Sequence, residues 1–180
     1  GSGERKDYFL GAFPSFCGKT STCMVDGETV VGDDIAYLRK RDGRVYAVNV
    51  ERGIFGIIRG VNKKNDPLIW DALTREGEVI FSNVLVEDGL PHWHGDEKKK
   101  PDKGINFSGS WFRGKFDESG EEICFSNPNA RYTVKLESLK NCDKSLEKKQ
   151  GVEVKGIIYG GRDSDTWPPV FESFDWSHGV

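Results

Sequence analysis

The chain has 180 residues, of which 36% are hydrophobic and 31% are charged, and its formal net charge is −3. This length predicts one folded domain with a substantial core, or at most one domain and a small appendage. The charge argues against the broad basic surface of nucleic-acid-binding proteins, and no hydrophobic run approaches the roughly 20 residues that a membrane span needs. Gly1-Ser2-Gly3 is typical of a tag remnant, so residues 4–180 are assigned to a single domain.

Four cysteines occur in the sequence, at Cys17, Cys23, Cys124 and Cys142. None forms a C-x-x-C pair, so their spacing predicts neither a zinc site nor a disulfide framework. The N-terminal residues lack the features of a signal peptide. Together these observations predict a reduced, cytoplasmic protein.

The first third of the chain reads as strands joined by glycine-containing turns. Residues 7–13 predict a buried strand that leads into Gly18-Lys19-Thr20, with a short helix from about residue 20 to 24. Residues 28–31 predict a second short strand. Asp42-Gly43 lies between two largely apolar segments, which predicts a β-hairpin.

The rest of the chain adds one clear helix and several strands. Asp66-Pro67 predicts a helix start, with Asp66 as N-cap. Residues 78–86, 131–134 and 152–159 predict strands, and Glu87-Asp88-Gly89 predicts a turn. Many strands and few helices indicate a mixed α/β fold, rich in strands.

Gly18-Lys19-Thr20 has the chemistry of a phosphate-binding loop. Backbone amides and a following helix N-terminus attract phosphate oxygens, while lysine contacts the terminal phosphates and threonine supplies a hydroxyl to Mg²⁺. The usual loop begins with glycine, and Phe13 stands at that position. The preceding strand and following helix favour the phosphate-loop interpretation over a chance match.

Asp33-Asp34 is the second feature that predicts nucleotide chemistry. Acidic residues after a strand commonly hold the metal of a bound nucleotide. An acidic turn that only solvates the strand end is the alternative, and the nearby loop makes the metal interpretation the stronger one.

Six segments, in the same order, resemble motifs of the GTP-dependent phosphoenolpyruvate carboxykinases. They are 12–20, 32–36, 49–56, 127–132, 156–162 and 176–180. The phosphate loop of that family also lacks the first glycine and carries a cysteine. The resemblance implies a strand-rich phosphoenolpyruvate-carboxykinase-like P-loop core and the conversion of oxaloacetate and GTP to phosphoenolpyruvate, GDP and CO₂ in gluconeogenesis.

The resemblance also implies a role for individual residues. The implied nucleotide-binding residues are Gly18, Lys19, Thr20, Asp33 and Arg162. The implied substrate-binding residues are Ser15, Asn129 and Arg131. The implied cofactors are Mg²⁺ and Mn²⁺, with Thr20, Asp33 and Asp34 as the metal-binding residues. Cys17, Lys19 and Arg162 are the implied catalytic residues, although packing alone is an alternative role for Cys17.

The sequence departs from the family in extent and at one motif position. Family enzymes are much longer, and their other segments supply further metal ligands, the mobile lid and the guanine pocket. Asn127 stands where the family usually has histidine. A nucleotide-binding module without turnover, a small-molecule kinase on the same scaffold and an inert scaffold therefore stay open as alternatives, and the oligomeric state is left open.

Overall fold

The computed structural model describes residues 5–15, 17–161, 165 and 172–179. Eleven strands and three α-helices lie within these residues. In chain order they are β1 (Tyr8–Ala12), α1 (Lys19–Cys23), β2 (Ala36–Arg41), β3 (Arg44–Asn49), β4 (Gly53–Ile57), α2 (Pro67–Thr74), β5 (Val79–Ser82), β6 (Leu85–Glu87), β7 (Leu90–His92), β8 (Lys103–Asn106), β9 (Gly109–Phe112), β10 (Arg131–Lys135), β11 (Val152–Tyr159) and α3 (Trp176–Gly179). Short 3₁₀ turns span Leu136–Ser138 and Lys144–Glu147. The predicted mixed, strand-rich class is confirmed.

The strands form three sheets. The first has the order β1-β11-β3-β2, the second β4-β10-β5, and the third β7-β6-β8-β9. The β1–β11 pair is parallel, and the other pairs are antiparallel. The first sheet carries the phosphate loop, because β1 runs directly into it.

The main core lies on one face of the second sheet, against α2. Ile54, Tyr132 and Val134 point into it from the sheet, and Ile69 and Leu73 meet them from the helix. Alternation along β10 explains the arrangement, since successive strand residues point to opposite faces. Trp93 closes the core, where its indole N–H donates to the Val61 carbonyl at 3.0 Å.

Turn chemistry was predicted correctly at the two hairpins. Asp42 and Gly43 have φ of 50° and 73°, and Asp88 and Gly89 have φ of 50° and 79°. Positive φ at both central residues matches the twist of antiparallel strands, which is why Asp-Gly is favoured there.

Three predictions about elements were wrong in detail. The strand predicted as buried at 7–13 is β1, whose residues are half-buried or exposed. Residues 28–31 form no strand, only an isolated bridge between Val30 and Cys142. The strand predicted at 78–86 is split into β5 and β6 by Asn83, which has a φ of 61°.

The predicted helix at Asp66 begins there, but by another mechanism. The Asp66 side chain makes no capping hydrogen bond to α2. Instead its carboxylate accepts the Asn62 amide at 3.3 Å, which fixes the preceding turn. Proline at the first helical position then sets the backbone for the helix.

Candidate functional site

The phosphate loop is a tight turn between β1 and α1. The Cys17 amide donates to the Pro14 carbonyl at 3.2 Å. Gly18 then adopts a left-handed conformation with φ 98°, which a side chain would strain. The Gly18 carbonyl accepts both the amide and the hydroxyl of Thr22, at 2.9 and 2.8 Å. These bonds place Lys19 and Thr20 at the start of α1.

Lys19 and Thr20 each contact one member of the acidic pair. The Lys19 ammonium forms an ion pair with Asp34, and the Thr20 hydroxyl donates to Asp33 Oδ2 at 3.3 Å. The contacts link residues 13 to 15 positions apart in sequence. The structure thus brings the loop and Asp33-Asp34 into one cluster.

The charges in this cluster are strongly coupled. The hydrogen bond to Asp34 raises the pKa of Lys19 against the effect of burial, with smaller contributions from the charges of Asp34, Asp33 and Glu51. Lys19 is therefore a cation at neutral pH. Burial raises the pKa of Asp33, and the Thr20 and Cys23 side chains partly offset that rise.

Asp33 has an oxygen suited to a cation. Its Oδ1 is buried and accepts no hydrogen bond from any described residue, while its Oδ2 accepts from Thr20. A buried carboxylate oxygen without a donor is costly, and a hard divalent cation would satisfy it. The donor set of Thr20, Asp33 and Asp34 fits Mg²⁺ or Mn²⁺, which binds with few protein ligands and shares phosphate oxygens and water.

No larger ligand set surrounds this cluster in the part of the chain that the structure describes. No group of three or more His, Cys, Asp and Glu side chains is placed to hold a metal ion there. A cation at Asp33 and Asp34 would therefore take further ligands from a nucleotide or from water.

Two residues between the acidic cluster and the core, Cys23 and Tyr132, were not predicted as site residues. Burial, together with the charge of Asp33, raises the pKa of the Cys23 thiol to about 12. Burial and the Asp33 charge also raise the pKa of Tyr132. For Tyr132 the sequence signals were its place in the resembling segment 127–132 and its position next to Arg131 on a predicted strand.

A groove of about 720 Å³ runs along β1 and the segment that leads to β2. Lys19, Asp33 and Asp34 lie in its wall, with Phe9 and Val30 among its apolar lining. The cationic and acidic side chains therefore face an open space large enough for a ligand.

Three further residues, Ser15, Asn129 and Arg131, were predicted to bind the substrate. Ser15 is exposed, and the Asn129 amide donates to Asn127 Oδ1 at 2.8 Å within an exposed turn. The Arg131 guanidinium lies 5.2 Å from the centre of the Phe55 ring, on the face of β10 opposite Tyr132. No hydrogen bond or ion pair among the described residues joins Ser15, Asn129 or Arg131 to Lys19.

Two predicted residues need a separate statement. Cys17 is half-buried and has a free thiol. The predicted role of Arg162 falls outside the described residues.

Comparison with known proteins identifies the family. The sequence model of the phosphoenolpyruvate carboxykinase C-terminal P-loop domain matches residues 1–180. The chain belongs to this family.

Several relatives carry the name phosphoenolpyruvate carboxykinase [GTP]. The Pyrococcus abyssi protein is 58% identical over 181 residues, the Saccharolobus solfataricus protein 50% over 174, and the Chlamydia muridarum protein 42% over 186. These alignments cover 96–100% of this chain but only 28–29% of each relative. The chain thus spans less than a third of the length of these relatives.

The structure also bears on a membrane location. Among the described residues, none of the helices combines the length and the hydrophobicity that a membrane crossing requires.

Proposed function

We propose that this chain is the nucleotide-phosphate and metal-binding core of a GTP-dependent phosphoenolpyruvate carboxykinase. The reaction would convert oxaloacetate and GTP to phosphoenolpyruvate, GDP and CO₂, as a step of gluconeogenesis. The observation that carries the proposal is the pairing of Lys19 with Asp34 and of Thr20 with Asp33 at the end of a phosphate loop.

The residues of the cluster would bind different parts of the nucleotide–metal complex. Lys19 would contact the β- and γ-phosphates, and Thr20 and Asp33 would hold Mg²⁺ with the nucleotide. Asp34 would hold Mn²⁺. Divalent cations at these positions supply positive charge to the phosphate oxygens during phosphoryl transfer.

Nucleotide binding would require an exchange of partners. The Lys19 ammonium forms an ion pair with the Asp34 carboxylate. Phosphate oxygens compete for the ammonium, and its transfer to them would release the Asp34 carboxylate for a cation. Phosphate and metal should therefore bind with positive cooperativity, because each removes a partner that the other must displace.

The substrate and catalytic roles come from the family resemblance. Ser15, Asn129 and Arg131 would bind oxaloacetate or phosphoenolpyruvate, Arg162 would contact the transferred phosphoryl group, and Cys17 would be the reactive cysteine of the loop.

All four cysteines are free, which supports a reducing, cytoplasmic location.

Calorimetry tests the binding half of the proposal. The chain is titrated with pyrophosphate, GTP and ATP in the presence of Mg²⁺. Lys19→Ala should weaken pyrophosphate binding about 10- to 100-fold, because a hydrogen bond to a charged group contributes about 1.5–3 kcal/mol. Lys135→Ala is the matched control. It removes an exposed lysine that pairs with Glu78, and it lies on the second sheet, whereas the phosphate loop follows a strand of the first. Equal affinities for wild type and Lys19→Ala would refute the proposed loop.

A second candidate function is nucleotide binding without turnover by this chain. It is favoured by the chain's span of less than a third of the relatives' length. The two candidates differ in an assay for phosphoenolpyruvate formed from oxaloacetate, GTP and Mn²⁺. Product formed by wild type and abolished in Lys19→Ala supports the enzyme, and binding without product supports the module.

A further inference from the structure

Glu51 lies beside the acidic pair but belongs to none of the binding roles above. It is the middle residue of the three-residue connection between Asn49, the last residue of β3, and Gly53, the first residue of β4. One oxygen of its carboxylate accepts the backbone amide of Ile35 at 3.2 Å. Ile35 directly follows Asp34, so this bond acts on the backbone that presents both acids.

The backbone of Glu51 is held in place by the Asn49 side chain. The Asn49 amide nitrogen donates to the Glu51 carbonyl at 2.6 Å, and the Glu51 amide donates to Asn49 Oδ1 at 3.0 Å. This reciprocal pair closes a local turn in the manner typical of Asn side chains. The carboxylate therefore projects from a fixed backbone.

Asn49 also contacts the other end of the acidic turn. A Cβ on Gly32 would lie 3.0 Å from Asn49 Cγ and 3.1 Å from its Oδ1, closer than ordinary contacts. A side chain at position 32 would therefore press against the Asn49 side chain, which would have to shift by a few tenths of an ångström. The residues on either side of Asp33-Asp34 are then both fixed, Gly32 by packing and Ile35 by a hydrogen bond.

The far end of the connection is anchored to the second sheet. The Arg52 guanidinium lies 3.0 Å from the carboxylates of both Glu137 and Glu147. The backbone carbonyl of Arg52 accepts the Leu136 amide at 2.9 Å. Leu136 is fully buried. The connection that carries Glu51 is thus bonded to a buried residue of the core at Leu136, and its Glu51 carboxylate is bonded to the acidic turn at Ile35.

We propose that Glu51 is a positioning residue that fixes the backbone of the Asp33–Asp34 turn for cation binding, with Asn49 as its support. The inference rests on the proposed function of that turn, and it adds two residues to which none of the binding roles above is assigned. Outer groups that orient metal ligands typically change metal affinity 10- to 100-fold when removed.

The test compares Glu51→Ala, Glu51→Gln and Asn49→Ala with Glu118→Ala, which removes an exposed glutamate from a distant turn. Mn²⁺ affinity is measured by electron paramagnetic resonance, and thermal unfolding is followed in parallel. Glu51→Ala and Asn49→Ala should weaken Mn²⁺ binding about tenfold. Glu51→Gln should recover most of the affinity, because its amide oxygen can still accept the Ile35 amide. Unfolding midpoints should stay close to that of Glu118→Ala.

Hydrogen exchange of the Ile35 amide, measured without ligand, separates this proposal from the proposed function. Exchange should accelerate about tenfold or more in Glu51→Ala and stay slow in Glu51→Gln. Wild-type protein that binds no Mn²⁺ would overturn the proposed function, while the exchange rate would still decide the role of Glu51. Unchanged Ile35 exchange in Glu51→Ala, or a glutamine variant as weak in Mn²⁺ binding as alanine, would overturn the positioning role.

Discussion

The first and second sheets of this chain differ in how much they bury. In the four strands of the first sheet, Ala47 and Val152 are buried, whereas Tyr37 and Tyr159 are 59% and 78% exposed. The second sheet buries Ile54 on β4 and Tyr132 and Val134 on its central strand β10, in the core that it forms with α2. Residues of the candidate site thus extend from the sheet with the weaker packing.

This difference indicates which contacts hold the phosphate loop and the acidic turn in place. A sheet with little buried surface contributes little hydrophobic stabilisation, so the phosphate loop and acidic turn depend on a few contacts to the packed region. Glu51 is one such contact and Asp143 is another.

The largest expected effect lies in the second sheet. Ile54→Ala should lower the free energy of unfolding by about 3–4 kcal/mol, because it opens a cavity at a fully buried position. Chemical denaturation provides the measurement. Ile80→Ala is the matched control, since Ile80 lies on the same sheet but is 65% exposed. Similar losses for the two variants would contradict the division into a packed and an exposed face.

The next effect concerns Asp143, which ties the two regions together. Its buried carboxylate pairs with Lys6 and accepts the Thr29 hydroxyl and the Ser145 amide, both at 2.7 Å. Burial by itself would raise the pKa of Asp143, but these donors outweigh burial and lower the pKa to about 2. The group therefore stabilises the fold above its ordinary pKa near 4, and the stabilisation is lost as pH falls toward 2.

Asp143→Asn should lower the free energy of unfolding at pH 7 by about 2 kcal/mol, the value that a shift of nearly two pKa units represents. Denaturation at pH 7, 4 and 2 provides the measurement, and the difference between variant and wild type should shrink toward pH 2. Asp42→Asn, at an exposed hairpin position, is the control. A difference between Asp143→Asn and wild type that does not change with pH would show that the carboxylate charge is not responsible.

Local chemistry explains what could be predicted from the sequence. The strand at 152–159 and the hairpins at Asp42-Gly43 and Asp88-Gly89 follow from neighbouring residues alone. The loop and Asp33-Asp34 were recognised because their residue types are tied to phosphate and metal chemistry. The role of Asp143 was not predictable, because Thr29 and Tyr8 lie 114 and 135 residues away from it. The exposure of β1 was missed because an apolar strand predicts burial whether or not another element packs on it.

The smallest expected effect tests the first sheet with a nearly isosteric change. Val45→Thr on β3 replaces a methyl group with a hydroxyl where the side chain is 38% exposed, so water can satisfy the hydroxyl. The free energy of unfolding should change by less than about 0.5 kcal/mol. The same substitution at Val134 on β10, which is 1% exposed, should cost about 1–3 kcal/mol, because the hydroxyl is removed from water. Chemical denaturation of both variants provides the measurement. An equal cost at both positions would mean that the first sheet is covered in solution, most simply by another copy of the chain, and a concentration-dependent unfolding midpoint would then reveal that association.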